Sequence, residues 1–149
     1  DPLPGLYPYI LYDKKVEYRN DAWRPQVIVI GLGGNDFSTP VKPGEPWADD
    51  AALRADYEKS FVAFVKALRA KNPQAFFLLT EYEGPVVAEE VEKVAALLRA
   101  DGETRLATIG LGDFSLNGCD WHLDTADDKR ISEQLIGWFD AHPELWQGK

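Results

Sequence analysis

The sequence predicts an α/β protein, a three-layer α/β/α sandwich built on a parallel sheet. Three observations carry that expectation. Three short apolar runs are nearly continuous rather than alternating, the pattern of strands covered on both faces. The segments between and after them step by three and four, as amphipathic helices do. The two kinds of segment also alternate along the chain, as parallel strands joined by helical crossovers require.

Each element follows in order. The aromatic-rich stretch Leu6 to Tyr12 (LYPYILY) is expected to be a helix broken by Pro8. The first strand is Gln26 to Leu32 (QVIVIGL). A helix is expected from about Trp47, with Leu53, Tyr57, Phe61, Phe64, Val65 and Leu68 along one face. The second strand is Ala75 to Thr80 (AFFLLT), and Val87, Val91, Val94 and Leu98 mark the second helix. Arg105 to Leu111 (RLATIGL) is the third strand. Ile131, Leu135 and Phe139 mark the third helix, which ends near His142-Pro143. Three strands make a thin sheet with unpaired edges, which points to neighbouring strands upstream. No repeat or internal linker divides residues 1–149, so the chain reads as part of one domain.

Composition narrows the function. The chain has 149 residues, 45% of them hydrophobic, enough for one domain with a core. Its 16 basic and 25 acidic side chains leave a net charge of −9, which disfavours phosphate backbones and anionic lipid. Nucleic-acid and membrane-surface partners are therefore not expected. No apolar run approaches the ~18 residues of a membrane span. The single cysteine, Cys119, cannot form an internal disulfide or a cysteine zinc site, and neither a metal nor a cofactor is expected. The opening Asp1-Pro2-Leu3-Pro4-Gly5, in a sequence without methionine, suggests a processed or excised piece.

Open parallel sheets bind ligands outside the carboxyl ends of their strands. Two polar loops leave such ends: Gly33-Gly34-Asn35-Asp36-Phe37-Ser38 and the stretch from Gly112 to Asp124. In the first, glycines at 31, 33 and 34 allow a sharp turn and close approach to a ligand. Asn35 adds an amide able to donate to a developing oxyanion, although an Asn-Asp turn closing a strand accounts for the same residues. A dinucleotide fingerprint fails, because its third glycine would fall on Asp36 and no helix begins until about Trp47. In the second loop His122 suits general-base work, and Asp120 could orient its ring. Asp120 or Asp124 could equally cap the last helix. His142 reads as a helix-end histidine favoured by the dipole. Cys119 is a weaker nucleophile candidate, since a lone cysteine is more commonly a small buried apolar residue.

Taken together, the two loops resemble those of a known family. VIVIGLGGNDFS resembles the third conserved block, Gly-x-Asn-Asp, of the SGNH (GDSL-type) hydrolases, whose fold is flavodoxin-like. GCDWH ahead of a helix resembles their last block, and LPGLYPYILY the tyrosine-containing stretch upstream. The nearest likeness is to carbohydrate esterase family 2, which reads NDFS and DWHP at these places. The resemblance implies a secreted or periplasmic esterase that removes acetyl groups from polysaccharides such as xylan through a serine nucleophile. Carried over, Asn35 matches the oxyanion-hole asparagine, Gly33 the glycine that shapes its loop, and His122 the general base. Asp36 matches an acid that holds that loop. Asp120 matches the residue two before the histidine, whereas the superfamily often places its acid three before, where Cys119 stands. Either Asp120 or a backbone carbonyl then orients His122. Leu123 replaces the proline usual after the histidine.

The block Gly-Asp-Ser, which supplies the nucleophile, has no counterpart in this sequence. Ser60 and Ser132 fall in expected helices; Ser38 and Ser115 lie in the site loops without the strand-then-turn setting of a nucleophile. The expectation is a C-terminal portion of a catalytic domain whose serine lies on an upstream fragment or chain. Its partner would be an acetylated carbohydrate, with Trp47, Tyr82 and Trp121 as candidate sugar-stacking rings. A non-catalytic α/β domain used in carbohydrate binding or assembly is the alternative.

Overall fold

The computed structural model describes residues 2–19, 22–82 and 84–146, and the Asp1 start lies outside them. The first stretch departs from expectation. Helix α1 is a single turn at Leu3–Leu6, N-capped by Pro2, and it ends before Pro8, which has no N–H to continue it. The aromatic residues that follow fold back instead as a narrow hairpin. Ile10 N donates to Val16 O at 2.9 Å, Tyr18 N to Pro8 O at 2.8 Å, and Tyr9 bridges Glu17.

Strands β1 (Val27–Ile30), β2 (Phe76–Glu81) and β3 (Leu106–Gly110) form one parallel sheet in the order β1-β2-β3. Val29 pairs with Leu78, and Leu79 with both Ile30 and Thr108. β1 stops at Ile30, two residues short of the apolar run, and Gly31 begins the following loop.

Helices α2 (Asp50–Lys71) and α3 (Pro85–Ala100) connect the three strands. Two successive right-handed crossovers in the same direction place both connecting helices on one face. Phe61, Val65 and Leu68 of α2 meet Val91, Val94 and Leu98 of α3 there, over Ile30, Phe77 and Leu79. Every apolar position expected on these two helices is buried.

Helix α4 (Thr125–Asp140) packs on the opposite face, where Trp138 lies 6.0 Å from Phe76, ring centre to ring centre. Its expected core positions Ile131, Leu135 and Phe139 are only half-buried. On that same face Val29 of β1 is 44% exposed, although its register partner Leu78 is fully buried. Coverage on both faces, expected for all three strands, is therefore complete for β2 and partial for β1. No helix among the described residues is long and apolar enough to cross a membrane.

One charged tie links α2 to α3 and bears on the site. Glu90 is fully buried, and its Oε1 accepts from Arg54 Nη1 and Lys93 Nζ, both at 2.9 Å. Burial opposes its ionisation, but the hydrogen bonds from Lys93 and Arg54 hold the carboxyl below the usual range. Tyr57 of α2 donates its hydroxyl to Leu32 O at 2.8 Å. Burial and the negative charges of Asp36 and Glu90 raise the Tyr57 pKa, so its hydroxyl remains a neutral donor. The core thus holds the backbone that leaves β1.

Candidate active site

Gly33 turns with φ +125°, and a Cβ there would stand 2.9 Å from the Tyr57 hydroxyl and 3.2 Å from Val87 Cγ1. Conformation and space both require glycine. Phe37 N donates to Gly33 O at 3.2 Å and the Ser38 hydroxyl to Asn35 O at 3.0 Å, closing the 33–38 turn. Phe37 packs edge-on to Tyr57 with centroids 4.9 Å apart, anchoring the turn from below. Asn35 remains exposed at its apex, and its side-chain amide makes no hydrogen bond among the described residues. Gly33→Ala is expected to cost ~1–3 kcal/mol in strain at the positive φ alone. Thermal unfolding of the variant beside the wild type would check it.

Gly33, Asn35 and Asp36 line a cleft of about 710 Å³ with Trp47, Tyr57 and Tyr82. The Trp47 indole N–H donates to Asp56 Oδ2 at 3.1 Å, which fixes the ring at the cleft wall. Tyr82 leaves the end of β2 and meets Phe114 of the second loop edge-on, with centroids 6.3 Å apart. It stands between the two loops just as β2 stands between β1 and β3.

The second loop carries unusual backbone. Asp113, Leu116, Asp120 and Trp121 all have φ between +51° and +63°, without a glycine among them. Such residues concentrate strain, which persists only where the surroundings enforce it. His122 follows a turn at Cys119–Trp121. Its Nδ1 lies 2.9 Å from Cys119 O, and its backbone N donates to the same oxygen at 3.1 Å. A carbonyl only accepts, so Nδ1 carries a proton, and in the neutral ring the lone pair is on Nε2. Of the two orienting groups considered for His122, the one in contact is the backbone carbonyl. Asp120 makes no hydrogen bond to the ring among the described residues. Gly118 N donates to His122 O at 2.9 Å, and a Cβ on Gly118 would meet Leu123 O at 2.6 Å. Only a glycine permits that closure of the 118–122 turn.

Capping falls to Asp124. Its Oδ1 accepts from Ala126 N at 2.8 Å and Asp127 N at 3.0 Å, while Asp127 Oδ2 accepts from Asp124 N at 3.3 Å. Asp127, which sequence reasoning missed, is fully buried. Its carboxylate takes Ser115 N at 2.8 Å, Leu116 N at 3.0 Å, the Ser115 hydroxyl at 3.0 Å and Arg130 Nη1 at 2.7 Å. Burial works against its charge, but the N–H groups of Ser115 and Asp124 and the Ser115 hydroxyl outweigh it and pull the pKa down to about 2. Because the folded value lies below the ordinary 3.8, the stabilisation is fully present above about pH 4 and fades as pH falls toward 2. Asp127 sits three residues past an Asp cap, a position where a capping box places an acid. That was the available signal.

Asp120 and His122 do not line the cleft that Gly33 and Asn35 share; they belong to the loop after β3, whose Phe114 meets Tyr82 of that cleft. Trp121 is 85% exposed. His142 Nδ1 bonds Trp138 O at 2.7 Å and its ring stacks on Trp138 at 4.0 Å, a helix-end role as expected. Cys119 is exposed, not a buried apolar filler. Ser38, Ser115 and Ser132 donate to Asn35 O, Asp127 and Lys129 O, and Ser60 lies on α2. None of the four hydrogen-bonds His122 among the described residues. Nor does any group of three His, Cys, Asp or Glu side chains among them converge as metal ligands would.

Comparison with known proteins places the chain in a family. The GDSL-like lipase/acylhydrolase family matches residues 6–142. An acetylxylan esterase/glucomannan deacetylase of Cellvibrio japonicus (strain Ueda107) is 39% identical over 146 residues, 97% of this chain and 41% of the relative. A solved carbohydrate esterase, whose active site displays divergent catalytic and non-catalytic binding functions, is 38% identical. It superposes with a TM-score of 0.95 over 99% of this chain and 48% of its own. A family two carbohydrate esterase from Clostridium thermocellum, in complex with cellohexaose, shares the fold at 23% identity, with a TM-score of 0.76 over 93% and 42% of the two chains. This chain thus spans less than half the length of these relatives. With a family match over residues 6–142, and with 97% of its own length aligned to a relative at 39% identity, the chain belongs to the GDSL-like lipase/acylhydrolase family.

Proposed function

We propose that the chain is the C-terminal portion of an SGNH catalytic domain that removes O-acetyl groups from a polysaccharide such as xylan or glucomannan. The observation that carries this reading is His122, its Nδ1 held by the Cys119 carbonyl on the same sheet edge as the Gly33–Asn35 turn. Nε2 is then free to accept the proton of a serine hydroxyl as that oxygen attacks the acetyl carbonyl. The Asn35 amide donates to the oxyanion, and the imidazolium returns its proton to the departing sugar hydroxyl. Water repeats the sequence on the acetyl-serine and releases acetate. The serine comes from an upstream segment, docked against the open flank of β1 where Val29 is exposed. Trp47 and Tyr82 offer faces on which sugar rings stack in the cleft. Acetylated polysaccharide as substrate implies a secreted or periplasmic enzyme.

His122 works as half of a serine–histidine dyad, with Asp120 outside the proton path. Acetate release by the full-length protein from acetylated xylan and glucomannan tests the activity; no release from either would leave the non-catalytic binding reading. Asp120→Asn separates dyad from triad. Loss of the acid in a working triad costs about 10⁴-fold in kcat, whereas here kcat should stay within about tenfold.

A further inference from the structure

We propose that Asp127 is the positioning residue of this site, an acid that holds His122 through the backbone instead of through the ring. The inference rests on the reading of His122 as general base. The imidazole has no carboxylate partner among the described residues, so its orientation depends on where the Cys119 carbonyl stands. That carbonyl belongs to a loop with four positive-φ residues that are not glycine, which would relax if released. The restraint comes from one buried carboxylate. Asp127 grips the loop at Ser115 N and Leu116 N, the latter on one of the strained residues, and accepts from Asp124 N just beyond His122. The segment carrying His122 is therefore pinned on both sides by a single side chain. Between those pins the turn closes on itself through Gly118 N to His122 O.

The carboxylate is also matched to this task. Six contacts from five donor groups converge on its two oxygens, and the Arg130 guanidinium at 2.7 Å balances its charge. An asparagine of the same shape would offer one acceptor oxygen and turn an NH₂ toward backbone N–H groups. One side of the grip would open, with little change in volume.

A double-mutant cycle in the full-length protein tests whether Asp127 acts through His122. Asp127→Asn in the wild-type background should lower kcat about tenfold while KM changes less than twofold. In the His122→Ala background the same substitution should change kcat less than twofold, because the group it positions is already gone. Equal losses in both backgrounds, or no loss in the wild type, would overturn the proposal. Should Asp127→Asn not fold, Ser115→Ala removes one donor from the cluster and decides by the same comparison. A several-fold fall in kcat confined to the wild-type background supports the role, and an unchanged kcat refutes it. The underlying reading fails separately, through a His122→Ala protein that keeps its turnover.

Discussion

His122→Ala should lower kcat by at least ~10²-fold, the scale on which a general base acts, with a much smaller change in KM. The structure supplies the reason for so large an effect. With Nδ1–H committed to Cys119 O at 2.9 Å, the lone pair on Nε2 is fixed in direction as well as in tautomer. No second imidazole can substitute. The chain's other histidine, His142, is held by Trp138 O and stacked on the Trp138 ring at the far end of α4. The Asp120 carboxylate lies nearby in sequence, but its backbone conformation (φ 52°, ψ 41°) belongs to the turn that presents the histidine. Initial rates of acetate release by the folded full-length variant check the expectation. A kcat within tenfold of wild type would remove His122 from the mechanism.

Much of this arrangement was legible in the residues, and what was not has identifiable causes. The periodicity of α2 and α3 was decisive because both helices bury a full apolar stripe against the sheet, and each marked position from Leu53 to Leu98 is in the core. In α4 the same periodicity overstated burial. That helix lies over the face where Val29 is still open, so Ile131, Leu135 and Phe139 meet fewer neighbours. The Leu6–Tyr12 stretch misled for a local reason: its aromatic density suggested a helix, but Pro8 ended α1 and Ile10 paired with Val16. In the site, residue identity pointed to Gly33, Asn35 and His122. The sequence left two partners open for His122, Asp120 or a backbone carbonyl; which carbonyl meets the ring could not be read, because every residue has one, and in the structure it is that of Cys119. Asp127 is one of four acids from Asp120 to Asp128; its place three residues after the Asp124 cap was its one sequence signal, and burial sets it apart from its exposed neighbour Asp128.

Asn35→Ala should reduce kcat by on the order of 10²-fold, with binding of the acetylated sugar nearly unchanged. The geometry argues for a loss concentrated in turnover. Asn35 stands exposed at the apex of a turn fixed by Gly33 at φ +125°, by Phe37 against Tyr57 and by the Tyr57 hydroxyl on Leu32 O. Its amide has no internal partner among the described residues, so removing it strands no buried group and leaves the turn's own hydrogen bonds intact. The backbone of the variant should therefore hold, and thermal unfolding should shift little. A neutral carbonyl oxygen in the ground state gains little from that amide, whereas the charge that develops on it during attack gains a great deal in a site walled by Trp47 and Tyr82. A KM effect larger than the kcat effect would make Asn35 a sugar-binding residue. A negligible change in both would leave the 33–38 turn as the close of a strand and nothing more.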